Sequence, residues 1–242
     1  MSESQAQLAI AIGNTRIKAV IFGRDRQILE EYACTHEQLQ ILETKLASRH
    51  FEHIAIASVV PHIVTYWHSL TQTQIITTPD VPLQGLYATL GVDRALAAFG
   101  AGEIYGYPVL VIDAGTALTL TGIDANKSLV GGAIVAGLRS QFACLHQNTA
   151  ALPDLPIPET LPERWANDTV SAIQGGVAHI LLAGLQSYIN DWRSQFPDSQ
   201  VILTGGDGDR LKAWGLGINA INQFDQHLIF WGIWACCFRN KS

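Results

Sequence analysis

Long hydrophobic runs are missing from this 242-residue chain. The longest, Leu228 to Phe238, covers eleven residues against the roughly 20 needed to cross a bilayer, so it reads as a buried C-terminal helix and no membrane partner is expected. Basic runs are missing too. The formal net charge is -6 with no Lys/Arg block, so the electrostatic footprint of a nucleic-acid binder is absent. Cysteine is scarce: Cys34, Cys144, Cys236 and Cys237 show no Cys-x-x-Cys spacing and no paired histidines, which excludes a zinc site and predicts reduced, mostly buried thiols. The eight histidines form no ligand-spaced cluster and read as surface or core residues. Met1-Ser2-Glu3-Ser4-Gln5 carries acid and no basic segment, unlike a secretory signal, so a soluble, cytoplasmic protein is expected. No Gly-x-x-x-x-Gly-Lys-[Ser/Thr] loop occurs, and no Gly-x-Gly-x-x-Gly follows the first strand; Gly205-Gly206-Asp207-Gly208 resembles one only loosely. Any nucleotide must bind by another geometry.

With 48% hydrophobic and 15% charged residues, the chain can bury a substantial core and is not disordered. Two glycine turns carry the most information. Ala9-Ile10-Ala11-Ile12-Gly13-Asn14-Thr15 precedes an alternating strand from Arg16 to Phe22, and Val111-Ile112-Asp113-Ala114-Gly115-Thr116-Ala117 precedes another through Ile123. Each reads as a hairpin. A third strand follows in each half (Ile28–Tyr32, Ser128–Val135), then a helix (about His36–Ser48, with Thr35 and Gln38 as a capping box; about Leu138–Thr149). Further units follow: strand Ile54–Val59, a short helix opening at Pro61, strand Ile75-Ile76 and a helix from Val92, then a long helix Val170–Phe196, strand Val201–Thr204 and the final apolar helix. The duplicated order predicts an α/β protein of two related domains, 1–108 and 109–242, with mixed sheets and an interdomain cleft.

Four groups of residues carry candidate chemistry. The paired turns are either ordinary hairpins or a clamp that holds phosphates from two sides; their matched positions favour the clamp. Gly91-Val92-Asp93-Arg94 opens a helix. There Asp93 is either a first-turn acid that complements the helix dipole or a carboxylate that takes a proton from a hydroxyl nucleophile. Arg94 could grip an anionic substrate group with its planar fork. Asp113 ends a buried strand, where a carboxylate needs a cation or hydrogen bonds unless it is a turn residue. Gly131-Gly132, Gly137 and Thr204-Gly205-Gly206 permit close backbone approach, and Thr169 after Asp168 reads as part of a helix cap.

Taken in order, these motifs resemble the type III pantothenate kinases. The resemblance runs across nearly the whole chain: Gly13-Asn14-Thr15 with Lys18, Gly91-Val92-Asp93-Arg94, Asp113-Ala114-Gly115-Thr116-Ala117, Gly131-Gly132-x-Ile134 leading to Gly137-Leu138, Thr149-Ala150-Ala151-Leu152-Pro153, Asn167-Asp168-Thr169 with Ala172, Ile173 and Gly176, and Thr204-Gly205-Gly206. It implies two ribonuclease-H-like domains of the actin-like, sugar-kinase type and ATP-dependent phosphorylation of pantothenate, the first step of coenzyme A synthesis. It implies Asp93 as proton acceptor, and Gly91, Val92, Asp93, Arg94 and Thr169 as pantothenate contacts. ATP would lie against Gly13, Asn14, Thr15, Lys18, Gly115, Thr116 and Gly205. Mg²⁺ would accompany the nucleotide, a monovalent cation (K⁺ or NH₄⁺) would bind at Asp113, and the protein would be a homodimer.

Two positions depart from the family pattern. Ala11 stands where an Asp is expected two residues before the first glycine, and Ala136 replaces a proline before Gly137. The loss at position 11 supports one rival, a fold that binds ligand without turnover; a second, a kinase for another small hydroxy compound, stands because the fold alone does not fix the acceptor.

Overall fold

The computed structural model describes residues 6–47, 49–60, 73–215 and 220–239. The chain divides into two units, Met1–Ile104 with His227–Ser242, and Tyr105–Gln226. The short helix expected from Pro61 and the stretch Met1–Gln5 lie outside the described residues.

The first unit opens with an antiparallel meander, β1 (Gln7–Ile12), β2 (Ile17–Phe22) and β3 (Ile28–Cys34). Strand β4 (His53–Ser58) pairs parallel to β1, and β5 (Thr73–Ile76) parallel to β4. The sheet order is β3-β2-β1-β4-β5. Central β1 buries Leu8, Ala9 and Ile10 completely, as a strand covered on both faces must. Edge strand β3 instead shows Glu30 and Glu31 to solvent, charges that blunt an open edge. Between β3 and β4 runs α1 (Leu39–Ala47). It begins later than the sequence pattern suggests, because His36–Gln38 form a 3₁₀ turn in which the Gln38 side chain accepts from the Thr35 N–H at 3.2 Å. Helix α2 (Val92–Tyr105) is buried along most of its length.

The second unit repeats the plan. Strands β6 (Val109–Ala114), β7 (Ala117–Ile123) and β8 (Leu129–Ala136) form the meander, followed by α3 (Leu138–Gln147) and α4 (Thr169–Gln195). Strand β9 (Gln200–Thr204) runs parallel to β6, α5 (Gly208–Ala213) follows, and β10 (Gln223–Phe224) pairs parallel to β9. The order β10-β9-β6-β7-β8 is that of the first sheet. Its core joins Leu110, Ile112 and Leu203 of the sheet to Leu181, Leu185 and Ile189 of α4. Elements α5 and β10 escape the sequence pattern, being too short to show a period.

The last helix, α6 (Leu228–Cys237), belongs to the first unit, not to the second as a boundary after residue 108 would have it. Its apolar surface packs on β1 and β4, and the Phe22 ring meets Trp231 and Phe238 at centroid distances of 5.8 and 6.3 Å. It crosses α2 through glycines. A Cβ on Gly100 would fall 2.1 Å from the Leu228 carbonyl oxygen, and one on Gly232 would fall 2.2 Å from that of Leu96. An Arg239–Glu103 ion pair ties the far ends of the two helices. Burial pushes the Cys236 thiol up to about 12, with Cys237 beside it adding to the shift, so that sulfur stays protonated and inert. Of the four free thiols only Cys237 is fully buried; Cys144 is exposed. No helix among the described residues is long and apolar enough to cross a membrane.

Candidate active site

In the first unit, β1 and β2 are joined by Gly13-Asn14-Thr15-Arg16, closed by the Gly13 N–H donating to the Arg16 carbonyl at 2.9 Å. The Gly13 carbonyl in turn lies 2.9 Å from Nε2 of His36. Asn14 and Thr15 are exposed. Lys18, half-buried, sits in register with Ala11 on one side and Ala33 on the other. Among the described residues no hydrogen bond or ion pair reaches its ammonium. With alanine at 11, the Lys18 ammonium faces no carboxylate directly across the strand.

Helix α2 supplies the second group. The Gly91 carbonyl accepts the first helical bond, from Ala95, at 3.1 Å. Oδ1 of Asp93 accepts the Arg94 N–H at 2.8 Å, so the acid does cap the first turn. Its other oxygen, Oδ2, has no hydrogen-bond partner among the described residues. A Cβ at position 91 would meet Oδ1 at 2.4 Å, which is why a glycine precedes this carboxylate. Arg94 is only 9% exposed, and its guanidinium donates to the Tyr87 hydroxyl at 3.0 Å. Tyr87, 47% exposed, was not legible as a site residue: it belongs to no motif and reaches the helix only through the fold. The loop before α2 is pinned by the Thr78 hydroxyl, which donates to the Leu90 carbonyl at 2.8 Å.

In the second unit three chain segments converge on Asp113. This residue pairs with Thr119 of β7 and Thr204 of β9 and is half-buried near the end of β6. The adjoining turn, Gly115-Thr116, is closed by the Gly115 N–H donating to the Ala117 carbonyl at 3.1 Å. The Thr116 carbonyl accepts from the Gly137 N–H at 3.0 Å and from the Ser140 hydroxyl at 2.8 Å. Gly137 lies so close that a Cβ there would come within 2.0 Å of the Gly115 oxygen. From the other side comes Gly205, with φ +91°, a left-handed conformation that suits glycine. A Cβ on it would meet both the Ala114 oxygen and Asp113 Oδ1 at 2.5 Å. Position 205 therefore admits no side chain beside the Asp113 carboxylate. Asp207, whose N–H donates to the Ala114 carbonyl at 2.9 Å, pairs with Arg210 at 2.7 Å; burial nonetheless raises its pKa, against the pull of that arginine.

Thr169 lies on another element. It is the first residue of α4, exposed, behind Asp168, whose side chain accepts the Ser171 N–H at 2.9 Å. That bond, chiefly, holds the Asp168 carboxyl below its usual range. No hydrogen bond joins Thr169 to the Asp113 cluster among the described residues. Ala136, exposed at the end of β8, accepts from the Gln141 side chain at 2.8 Å, so the turn into α3 is held without a proline.

The described residues contain no group of three or more His, Cys, Asp or Glu side chains able to cage a metal ion.

A protein from Synechocystis described as a type III pantothenate kinase is 41% identical over 233 residues, covering 93% of this chain and 88% of that one. Among solved structures, a Campylobacter jejuni protein described as of the Baf family superposes with a TM-score of 0.66 at 21% identity, covering 97% and 98% of the two chains. A Sinorhizobium meliloti protein described as a 2-dehydro-3-deoxygalactonokinase gives 0.59 at 12% identity, covering 95% of each. Both share the fold, which is therefore that of the sugar kinases. The family model described as type III pantothenate kinase matches residues 7–191, more than half the sequence and every motif up to the start of α4. The chain belongs to the type III pantothenate kinase family.

Proposed function

We propose that this chain transfers the γ-phosphate of ATP to the terminal hydroxyl of pantothenate, with Asp93 as the residue that orients the hydroxyl and accepts its proton. The family match across residues 7–191 carries this reading. The unbonded Oδ2 of Asp93 supports the role, because a base must offer a free lone pair to the proton it takes. Arg94, buried and braced by Tyr87, would bind the pantothenate carboxylate through its fork, with Gly91, Val92 and Thr169 as further contacts.

Phosphoryl transfer asks mainly for positioning and charge neutralisation. Asn14, Thr15 and Lys18 of the first unit would contact the nucleotide, as would Gly115, Thr116 and Gly205 of the second. Backbone N–H groups at such turns suit phosphate oxygens, and the unpaired Lys18 ammonium suits their charge. Asp113 would hold the monovalent cation. When bound, Mg²⁺ and this cation would supply positive charge to the phosphates; the protein's own share is Lys18 and the turn amides. Exposed apolar side chains of the second unit (Ile134 61%, Ile180 76% and Tyr188 52% exposed) support a homodimer, and a cytoplasmic location accords with the chemistry.

A coupled ADP-release assay tests the reading. Pantothenate should trigger ADP formation from ATP, and potassium should accelerate it. Tight pantothenate binding without ADP release would establish a non-catalytic binding protein, and release with a different hydroxy compound would reassign the acceptor. Light scattering should return twice the 26.3 kDa chain mass.

A further inference from the structure

We propose that His36 is a positioning residue for the nucleotide phosphates, acting through the peptide bond that follows Gly13; the inference rests on the reading that the Gly13-Asn14-Thr15 turn binds ATP. His36 lies outside every motif, half-buried in the 3₁₀ turn that follows β3, with Nε2 at 2.9 Å from the Gly13 carbonyl. A carbonyl oxygen only accepts, so Nε2 carries the hydrogen. In a trans peptide the Gly13 C=O and the Asn14 N–H point in opposite directions. Fixing the carbonyl on His36 therefore fixes the direction of the Asn14 N–H. That N–H has no partner among the described residues, whereas the Gly13 N–H is already spent on Arg16. Glycine alone would let this peptide rotate at little cost. His36 removes that freedom before the ligand arrives, so less ordering remains to be paid on binding.

The second unit has a related arrangement, one residue later in the turn and with other groups. There the Thr116 carbonyl of the β6–β7 turn is held by Gly137 and Ser140, which follow β8. His36 follows β3, and β3 and β8 are each the third strand of their meander and an edge of their sheet. In both units the segment leaving the third strand reaches back to hold a carbonyl of the first hairpin turn. In the first unit a side chain does the holding, and so it can be removed without disturbing the backbone.

His36→Leu and His36→Gln separate the possibilities. ADP affinity is measured by calorimetry, alongside the KM for ATP and for pantothenate, kcat and the melting temperature. Loss of one such bond should weaken ADP about fivefold in His36→Leu and raise the KM for ATP by a similar factor. The KM for pantothenate and the melting temperature should stay near wild type. Glutamine, which keeps an N–H donor, should recover much of the loss. Unchanged ADP affinity in His36→Leu overturns the proposal. So does a parallel rise of both KM values with a fallen melting temperature, which marks a general structural role. Wild-type protein that fails to bind ADP overturns the nucleotide reading itself, a result distinct from wild-type binding that the variants leave intact.

Discussion

The two units share one sheet order and differ at the turn that matters. In the second unit the turn between the first two strands is Gly115-Thr116, Asp113 pairs with Thr119, and Gly137 and Gly205 close in from both sides. The first unit has the longer Gly13-Asn14-Thr15-Arg16, Ala11 pairs with Lys18, and a histidine does the bracing. One turn is tight, glycine-lined and acidic; the other is wider and cationic. A duplicated scaffold thus carries a cationic side chain beside one turn and a carboxylate beside the other. The first unit also holds the helix that carries Asp93.

The largest effect should come from Asp93. Replacing it with asparagine keeps the shape and an acceptor oxygen for the Arg94 N–H but removes the base, so kcat should fall about 10²–10⁴-fold. The pantothenate KM should change little. Steady-state kinetics with both substrates checks this, and near-normal turnover would take Asp93 out of the mechanism.

Next in size is the acidic turn. Asp113→Asn removes its charge with little change in volume, and the potassium concentration for half-activation should rise about tenfold or more. The matching change in the other unit, Lys18→Gln, should leave potassium activation alone and raise the KM for ATP. If both variants shifted the same parameter, the division between the two turns would be wrong.

A third prediction concerns how α2 is held. In Gly232→Ala the new methyl would meet backbone atoms of Leu96, not a yielding side chain. Alanine gains about 1 kcal/mol of helix propensity over glycine, but overpacking costs about 1–3 kcal/mol and more where only backbone can move. The clash should win by about 1–2 kcal/mol, lowering the melting temperature by about 2–8 °C. Because Asp93 lies in the first turn of α2, kcat should drop as well.

Most of the scaffold could be read in the chain. Buried strands such as Leu8–Ile12 and Val109–Ala114 announce themselves by apolar runs, and the repeat of strand, glycine turn and strand foretold two similar sheets. What escaped depends on contacts that have no local pattern. The C-terminal helix looked like the end of the second half, yet its partners are β1, β4 and α2, distant in sequence. Tyr87 and His36 bear no motif; each acquires meaning from a single bond, to Arg94 and to Gly13. That His36 bonds the Gly13 carbonyl could not be read from its place in the sequence. Gly137 and Gly205 were seen as permissive, but that they pack on the same turn required the fold.

The smallest expected effect is also the one that probes the comparison most directly. Ala11→Asp would give the first unit the carboxylate that Asp113 gives the second. The new group would stand in register with Lys18 and with Ala57 of β4, at a half-buried position with small neighbours, so it should fit. Opposite charges across antiparallel strands are worth about 0.2–1 kcal/mol, and the pairing would draw the Lys18 ammonium toward position 11. Against that, a carboxylate near the phosphates offers Mg²⁺ or its waters another oxygen. Both effects are a few-fold and act on different parameters: the Mg²⁺ concentration for half-maximal rate should fall about two- to threefold while the KM for ATP rises slightly. A magnesium titration at saturating ATP, repeated in the Lys18→Gln background, distinguishes them. The KM change should vanish there and the magnesium shift should remain. Were the magnesium shift to vanish too, Lys18 and not the metal would be the partner that the first turn is built around.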